Sequence, residues 1–263
     1  MKTIKILGLA GFFIIFGLTL SACGQNNVKK DIAKNEKRGF AVMELFTSEG
    51  CSSCPPADEV LAQIQKEAAG KPVYLLAYHV DYWDRQGWKD IFSNAAYTQR
   101  QAKYAEWLHT PQIYTPQVVV NGRTEFVGSE ETTVRRVISS ALAGNAAVQL
   151  TLHATQDQRR LNVHYEAAGA PSGSSILIAV VEKNAKSKVE RGENAGRLLL
   201  HAQIVRKLQS KPLSVTGEGT VTVDLPKDFG PQNFEILGLI QDEKTGEIAG
   251  ASRAELDTAL VQK

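Results

Sequence analysis

Dense runs of basic residues are missing from this sequence, whose net charge is only +2. Nucleic-acid binding needs Lys and Arg concentrated in one segment or on one face, so no nucleic-acid partner is expected. Internal repeats and low-complexity segments are missing as well. What remains, with 43% hydrophobic and 22% charged residues over 263 positions, is the composition of a globular protein long enough for two domains.

Metal-ligand motifs are also scarce. The chain has three cysteines and five histidines, and no two histidines form a paired metal-binding motif. A single C-x-x-C pair supplies only two of the ligands that a zinc site needs. We therefore expect no metal cofactor, and copper or zinc held by Cys51, Cys54 and His79 stays open as an alternative.

The N-terminus carries a targeting signal. Lys2 and Lys5 precede an uncharged apolar stretch over residues 6–20, which is typical of a signal peptide and short for a membrane span of about 20 residues. The letters LSAC follow, and they resemble a bacterial lipobox that ends at Cys23. The resemblance implies cleavage before Cys23 and attachment of lipid to its sulfur. The alternative is an ordinary secretory signal with an incidental cysteine.

We therefore expect a lipoprotein signal peptide over residues 1–22 and a lipid-anchored, flexible, lysine-rich tether over residues 23–39. Several acyl chains anchor a protein to a membrane far more firmly than one. Because Gly24 and not Asp follows the cysteine, the usual sorting rule points to the outer membrane of a bacterial envelope, on the side facing the periplasm. In that oxidising compartment only Cys51 and Cys54 remain as thiols, and they can bond to each other or to another molecule.

Strand and helix patterns then alternate as far as residue 145. The predicted order is strand, helix, strand, helix, hairpin, helix, carried by FAVMELFT, ADEVLAQIQKEAAG, PVYLLAYHV, SNAAYTQRQAKYAEWL, TPQVVVNGRTEFVG and SEETTVRRVISSALAG. Asn121-Gly122 is the expected hairpin turn. This order predicts a mixed sheet with helices on its faces. From residue 146 about seven short strands with no convincing helix predict an antiparallel sandwich.

The C-x-x-C pair stands where the first strand gives way to the first helix. A thiol at a helix start faces unpaired backbone N–H groups and the positive end of the helix dipole, so we expect a lowered pKa for Cys51. We also expect Cys51 to be exposed and Cys54, one turn further on, to be shielded. That asymmetry suits an attacking and a resolving thiol. A second signal is Thr115-Pro116 directly before a strand, because a proline there must lie at a strand start or edge.

A C-x-x-C after the first strand, with a proline opening the hairpin, resembles the thioredoxin superfamily. More narrowly, the stretches ELFTSEGCSSCPPAD, HVDYWDRQGWKD, YTPQVVVNG and VERGENAGRLLLH resemble DUF1223, a family of secreted or lipid-anchored bacterial proteins of unknown function. The resemblance implies a thioredoxin-like α/β domain over residues 40–145 and an all-β, sandwich-like domain over residues 146–258. It also implies a cis Pro116 beside the sulfurs, where Thr115 and Pro116 dock the substrate backbone. It supplies no established activity.

Two loops are candidate parts of the site. In HVDYWDRQGWKD, Asp81, Trp83 and Asp84 could form the rim of a peptide-binding cleft, with an acid tuning the cysteine pair. The alternative is that the aromatic residues pack under the loop and the acids cap the next helix. A second loop, RGENAGR, spans residues 191–197 and lacks the Lys-Ser/Thr ending of a phosphate loop.

Within this second loop Arg191, Glu193 and Arg197 could close over the cysteine cleft and grip an acidic or backbone group. The alternative is a charged hairpin loop without a binding role. The other histidines, His153, His164 and His201, lie on predicted strands and are expected to be packing or surface residues.

Together these features predict an envelope thiol–disulfide oxidoreductase that acts on protein or small-thiol disulfides. Cys51 attacks, Cys54 resolves the mixed disulfide, and no organic cofactor is needed. Ser52 and Ser53 replace the Gly-Pro and Pro-His pairs of known oxidoreductases, so the direction of the chemistry and the redox partner stay open. Two alternatives remain. One is a non-catalytic envelope binding module with a structural disulfide, although a disulfide that closes a loop of only four residues stabilises a fold weakly. The other is the copper or zinc carrier.

Overall fold

The structure, a computed structural model, describes residues 39–257. The predicted signal peptide, the lipidation site Cys23 and nearly all of the tether lie outside these residues. The described part of the chain forms three α-helices and twelve β-strands. None of these helices is long and apolar enough to cross a bilayer.

The predicted order of elements up to residue 145 is confirmed. The elements are β1 (Ala41–Thr47), α1 (Pro55–Glu67), β2 (Val73–His79), α2 (Ala95–Leu108), β3 (Gln117–Val120), β4 (Thr124–Val127) and α3 (Glu131–Ala143). β1 pairs in parallel with β2 and antiparallel with β3, and β3 pairs with β4. The cysteine turn therefore follows the carboxyl end of a central strand.

Every residue of β1 is buried, because apolar side chains cover both of its faces. Met43 and Leu45 share a core with side chains of α1 and α3. Val42 and Phe46 share a second core with aromatic residues of α2. Since successive strand side chains point to opposite faces, a run as rich in apolar residues as FAVMELFT suits a strand that is covered on both sides.

The turn between β3 and β4 has the conformation that its sequence predicts. Asn121 has φ 49° and Gly122 has φ 66°, and the Arg123 N–H donates to the Val120 backbone oxygen at 3.0 Å. A tight turn centred on these two residues with positive φ at both is the one that Asn-Gly favours. A Cβ atom at Gly122 would lie 2.0 Å from the backbone oxygen of Gly246. Glycine is therefore required here both by backbone conformation and by space.

From residue 146 to residue 257 the chain is built from strands. They are β5 (Gln149–Asp157), β6 (Arg160–Ala168), β7 (Ser174–Lys188), β8 (Leu198–Pro212), β9 (Glu218–Asp224), β10 (Phe234–Asp242), β11 (Ile248–Arg253) and β12 (Glu255–Asp257). One sheet has eight strands in the order β11-β10-β7-β8-β2-β1-β3-β4, and the other has four in the order β12-β5-β6-β9. Apolar side chains of the two sheets, such as Val163 and Ile178, share one core.

The larger sheet contains strands from both predicted domains. β8 pairs in parallel with β2 at Ile204 and Ala77, so the sheet continues across the predicted boundary at residue 145. β7 and β8 are each 15 residues long. The apolar pattern SSILIAVVEK predicts β7 only as far as Lys183, and the strand continues to Lys188. This extension carries the loop of residues 189–197, called the capping loop below, to the cysteine turn.

Candidate disulfide site

The two cysteines at the start of α1 are bonded to each other. Cys51 and Cys54 form a disulfide with their Cα atoms 5.4 Å apart. Cys54 is the N-cap of α1, and Pro55 and Pro56 occupy the first two helical positions. Those positions have no helical partner for a backbone N–H, so prolines are well tolerated there. The Cys54 N–H donates to the backbone oxygen of Cys51 at 3.2 Å, which closes the turn.

Both cysteines are fully buried, at 0% exposure. The prediction that Cys51 is exposed is therefore wrong. Cys51 is covered by a segment that lies far away in the sequence, because the capping loop packs on the cysteine turn. Asn194 Nδ2 donates to the backbone oxygens of Glu49 and Cys51, at 2.9 Å each. No local pattern around the cysteines could have indicated this cover.

The capping loop holds the cysteine turn through two adjacent residues. Glu193 Oε2 accepts hydrogen bonds from the backbone N–H and the hydroxyl of Ser52, at 3.1 Å and 2.6 Å. Asn194 is completely buried, and its Oδ1 accepts a hydrogen bond from Arg197 Nη1 at 2.7 Å. The structure thus brings two of the three predicted loop residues to the site, Glu193 directly and Arg197 through Asn194. Arg191 is exposed, beside them on the same loop.

Thr115 and Pro116 precede β3, and the peptide bond between them is cis. Trp83 Nε1 donates to Thr115 Oγ1 at 2.8 Å. The backbone of Trp83 lies against the cysteine turn, because a Cβ atom added to Gly50 would be 3.1 Å from the Trp83 Cβ. Trp83 therefore joins the cysteine turn to the predicted substrate-docking residues.

The two predicted acids of the loop between β2 and α2 accept hydrogen bonds from that loop and from α2. Asp81 Oδ1 accepts a hydrogen bond from Thr98 Oγ1 of α2 at 2.6 Å. Asp84 accepts from the Asp90 N–H at 3.2 Å and from the Ser93 hydroxyl at 2.7 Å. These contacts shape the loop, and a direct role for either acid at the cysteines stays a prediction.

A buried carboxyl group lies one helical turn after Cys54. Asp58 is 6% exposed, and its Oδ2 accepts a hydrogen bond from Thr47 Oγ1 at 3.4 Å. Burial raises the pKa of the Asp58 carboxyl to about 6, although the charges of His201 and His79 act in the opposite direction. Residues four positions apart lie on the same side of a helix, so Asp58 and Cys54 share the inner face of α1.

Two buried histidines lie beside this carboxyl group, each with an acidic partner. His79 Nδ1 is 2.6 Å from Asp90 Oδ2, and His201 Nε2 is 3.5 Å from Glu49 Oε1. The two imidazole rings meet edge to face with their centroids 5.1 Å apart. Burial alone would lower the pKa of His79, but the charge and hydrogen bond of Asp90 raise it above its usual value.

The same contact between His79 and Asp90 has the opposite effect on the pKa of the acid. Burial would raise the pKa of Asp90, but His79 and the backbone N–H groups of Glu49 and Phe92 lower it below its usual value. Within the described part of the chain His79 Nε2 and His201 Nδ1 are buried without a hydrogen-bond partner. Behind the disulfide there is thus a closed cluster of titratable groups, which we call the buried acid–histidine cluster: Glu49, Asp58, His79, Asp90 and His201.

Comparison with known proteins identifies the family. The sequence profile described as a protein of unknown function, DUF1223, matches residues 42–241. The chain belongs to the DUF1223 family. No curated protein matches it.

Solved structures similar to this DUF1223 chain include a crystal structure of a protein from Agrobacterium tumefaciens. It is 26% identical, with 81% of this chain and 92% of that one covered and a TM-score of 0.63. HBP35 of Porphyromonas gingivalis is 16% identical, with 84% and 76% covered and a TM-score of 0.60; this likeness concerns the fold alone. A domain of the outer membrane lipoprotein Omp28 from Porphyromonas gingivalis is 14% identical, with 43% and 89% covered and a TM-score of 0.26, too low to support an argument.

Several site residues of this DUF1223 protein were not found from its sequence. Asn194 and His201 lie at least 140 positions after the cysteines, and only the chain's fold brings them to the turn. Asp58 had a usable signal, because it stands four residues after Cys54 on the apolar side of a predicted helix. Within residues 39–257 no three His, Cys, Asp or Glu side chains are placed to ligate one metal ion.

Proposed function

We propose that this DUF1223 protein is a thiol–disulfide oxidoreductase of the bacterial cell envelope. The observation that supports the proposal best is the Cys51–Cys54 disulfide at the N-terminal end of α1. A thiolate at that position is stabilised by the helix dipole and by unpaired backbone N–H groups. Trp83 supports the proposal as well, because it contacts both Thr115 of the proline-containing loop and the cysteine turn. We regard this α/β half as thioredoxin-like.

The proposed reaction is thiol–disulfide exchange in two steps. In the reducing direction, the Cys51 thiolate attacks one sulfur of a substrate disulfide, and the other substrate sulfur leaves as a thiolate and takes up a proton. Cys54 then loses its proton and attacks the Cys51 sulfur of the mixed disulfide, which releases the second substrate thiol. The substrate gains two electrons, and the protein ends with its Cys51–Cys54 disulfide. In the oxidising direction the same steps run in reverse.

The buried acid–histidine cluster gives Cys54 a place for its proton. Asp58 lies one turn after Cys54, and its pKa of about 6 means that the carboxyl group both takes up and releases a proton near neutral pH. The charges of His79 and His201 act on the same carboxyl group. A proton from Cys54 can therefore stay inside the protein while the sulfur attacks.

The proposal also covers substrate and location. The substrate is a protein or small-thiol disulfide whose backbone lies along Thr115 and Pro116. Because both cysteines are buried, the substrate reaches Cys51 only when the capping loop moves or when the loop between β2 and α2, which contains Trp83, moves. Lipid on Cys23 and the tether that follows would hold the protein at the outer membrane, facing the periplasm.

The direct test is catalysed exchange by the full-length protein in detergent. A reduced peptide with two cysteines is offered with glutathione disulfide as oxidant, and the same peptide in disulfide form is offered with dithiothreitol. We expect turnover in at least one direction, loss of turnover in Cys51→Ser, and a stalled peptide mixed disulfide on Cys51 in Cys54→Ser. Equal rates for the wild type and both variants would contradict the proposal.

One observation favours a second candidate function. Because Cys51 and Cys54 are both at 0% exposure, the disulfide could instead be a structural bond in a binding module whose partner docks elsewhere. In that case Cys51→Ser and Cys54→Ser change stability alone, and neither variant accumulates a mixed disulfide.

A further inference from the structure

We propose that Glu193 of the capping loop opposes ionisation of Cys51 and thereby favours the disulfide over the dithiol. This inference deepens the proposed function, because it assigns the control of the redox balance to a residue from the other half of the chain. It differs from the predicted role of Glu193 as a group that grips substrate.

Glu193 occupies hydrogen-bond donors that lie between the two cysteines. Its Oε2 accepts from both the N–H and the hydroxyl of Ser52, at 3.1 Å and 2.6 Å. Donors next to a helix start are the groups that stabilise a cysteine thiolate in such a turn. With Glu193 in place, the Ser52 donors are directed to a carboxylate and are not available to the Cys51 sulfur.

The carboxylate also places a negative charge close to that sulfur. Ser52 N is bonded directly to the carbonyl carbon of Cys51, so ordinary bond lengths put Glu193 Oε2 within about 8 Å of Cys51 Sγ. That distance does not exceed the screening length of about 8 Å at physiological salt. A thiolate on Cys51 is therefore repelled by Glu193, whereas the uncharged disulfide is not.

The surrounding residues keep this charge in place. Asn194 is completely buried and anchors the loop beside Glu193. Gly192 and Gly196 bracket both residues with φ 76° and 82°, which lets the loop make its tight turn. Over residues 39–257 no Lys, Arg or His lies within 4 Å of the Glu193 carboxylate as an ion-pair partner. Its charge is thus not cancelled locally.

The other charged groups near the turn are the same in the wild type and in the variant with Gln at position 193. On the loop these are Glu190, Arg191 and Arg197, and behind the disulfide they are the members of the buried acid–histidine cluster. All of them are retained in Glu193→Gln, a substitution that keeps an oxygen acceptor for Ser52 and removes only the charge. Glu190→Gln is the matched control, because it removes the same charge from an exposed position of the same loop.

The experiment measures two quantities on the full-length protein in detergent. The first is the acid dissociation constant of the Cys51 thiol in the reduced protein, from the pH dependence of its alkylation rate. The second is the equilibrium constant for the reaction in which the protein disulfide and two thiols of glutathione give the Cys51 and Cys54 thiols and glutathione disulfide. Dithiothreitol, which forms its own cyclic disulfide in the same two-electron exchange, replaces glutathione if the bond resists it.

In Glu193→Gln we expect the dissociation constant of Cys51 to rise about three- to tenfold, as one charge removed at this distance predicts. Where Cys51 is ionised, the equilibrium constant for reduction should rise by the same factor, and tenfold corresponds to about 30 mV. Both differences should shrink in 1 M salt, which a purely structural effect would not do.

Two results would overturn the assignment. One is a Glu193→Gln protein whose Cys51 acidity equals that of the wild type. The other is a Glu190→Gln protein that changes as much as Glu193→Gln. The proposed oxidoreductase function fails separately, if glutathione cannot open the wild-type disulfide, and the ratio between variants is still measured with dithiothreitol in that case.

Discussion

At the scale of single residues, the site depends on buried polar side chains, one close to the cysteines in the sequence and one far from them. Asn194 is completely buried in a loop of charged residues, and it uses its amide to hold two backbone oxygens of the cysteine turn. Asp58 is buried on the inner face of α1. Buried polar groups without partners are costly, so the contacts of these residues fix the conformation of the turn.

Asp58 makes the stability of the oxidised protein depend on pH. Its pKa rises from 3.8 to about 6 in the folded state, so the folded protein holds this proton more tightly than the unfolded chain does. The free energy of unfolding should therefore fall as pH rises from about 4 to about 6, and Asp58 should contribute roughly 3 kcal/mol to that fall. His79, whose pKa is also raised, adds a loss of stability in the same direction, which begins near pH 6.5 and is complete only above its folded-state pKa.

Urea unfolding of the oxidised protein at pH 4 and pH 8 measures this effect. Asp58→Asn cannot ionise, so we expect it to lose less stability than the wild type between the two values. The exposed Asp157→Asn serves as control and should follow the wild type. A profile of Asp58→Asn that matches the wild type would show that Asp58 is not the group responsible.

The residue scale also shows what the sequence could and could not predict. The C-x-x-C pair, the proline before β3 and the loop RGENAGR were all found from local patterns. The burial of Cys51 and the role of Asn194 were not, because both depend on contacts across more than 140 positions. Periodicity indicates which side of an element is buried, and it does not indicate which distant loop covers a turn.

At the scale of secondary-structure elements, strong local signals predicted most of the molecule. The apolar run of β1, the Asn121-Gly122 turn and the apolar periodicity of α1 each match the observed element. The outer end of β7 was missed. Its last residues, NAKSK, are mostly polar, so no apolar alternation marks them as a strand.

The β3–β4 turn offers a test at this scale. Gly122→Ala should destabilise the protein by more than about 2 kcal/mol, because positive φ costs an L residue about 1–2 kcal/mol and the new Cβ meets the backbone of Gly246. Gly70 also has positive φ, at 73°, with nothing within 4 Å of an added Cβ. Gly70→Ala therefore reports the backbone cost alone, at about 1 kcal/mol.

Denaturant unfolding of the two glycine variants separates these contributions. Equal losses in Gly122→Ala and Gly70→Ala would mean that the close approach of the two turns does not matter. A larger loss in Gly122→Ala is what the geometry predicts.

At the scale of the whole molecule, a buried ion pair links the two predicted halves. Arg100 of α2 donates to both oxygens of Glu44 on β1, at 2.5 Å and 2.9 Å. Its Nη1 also donates to Gln241 Oε1 of β10 at 3.0 Å. Together with the pairing of β2 and β8, this network makes the capping loop and the cysteine turn parts of one folded unit.

Removal of one partner should therefore weaken the entire fold. Arg100→Met leaves Glu44 buried without its cation, and such a change typically costs about 3–5 kcal/mol. Arg135 pairs with Glu67 and Glu131 at the surface, and Arg135→Met should cost much less, because solvent screens exposed ion pairs. Urea unfolding curves of the two variants provide the measurement, and losses of similar size would contradict the account.

The central claim, that the Cys51–Cys54 bond is opened and closed in use, is tested most directly by its reduction potential. The full-length protein in detergent is equilibrated in glutathione buffers, and its free thiols are alkylated and counted by mass. The account predicts a value between about −120 and −270 mV, the range of working oxidoreductases. A value well below about −300 mV would identify a structural bond that the envelope does not reduce, and would contradict the claim.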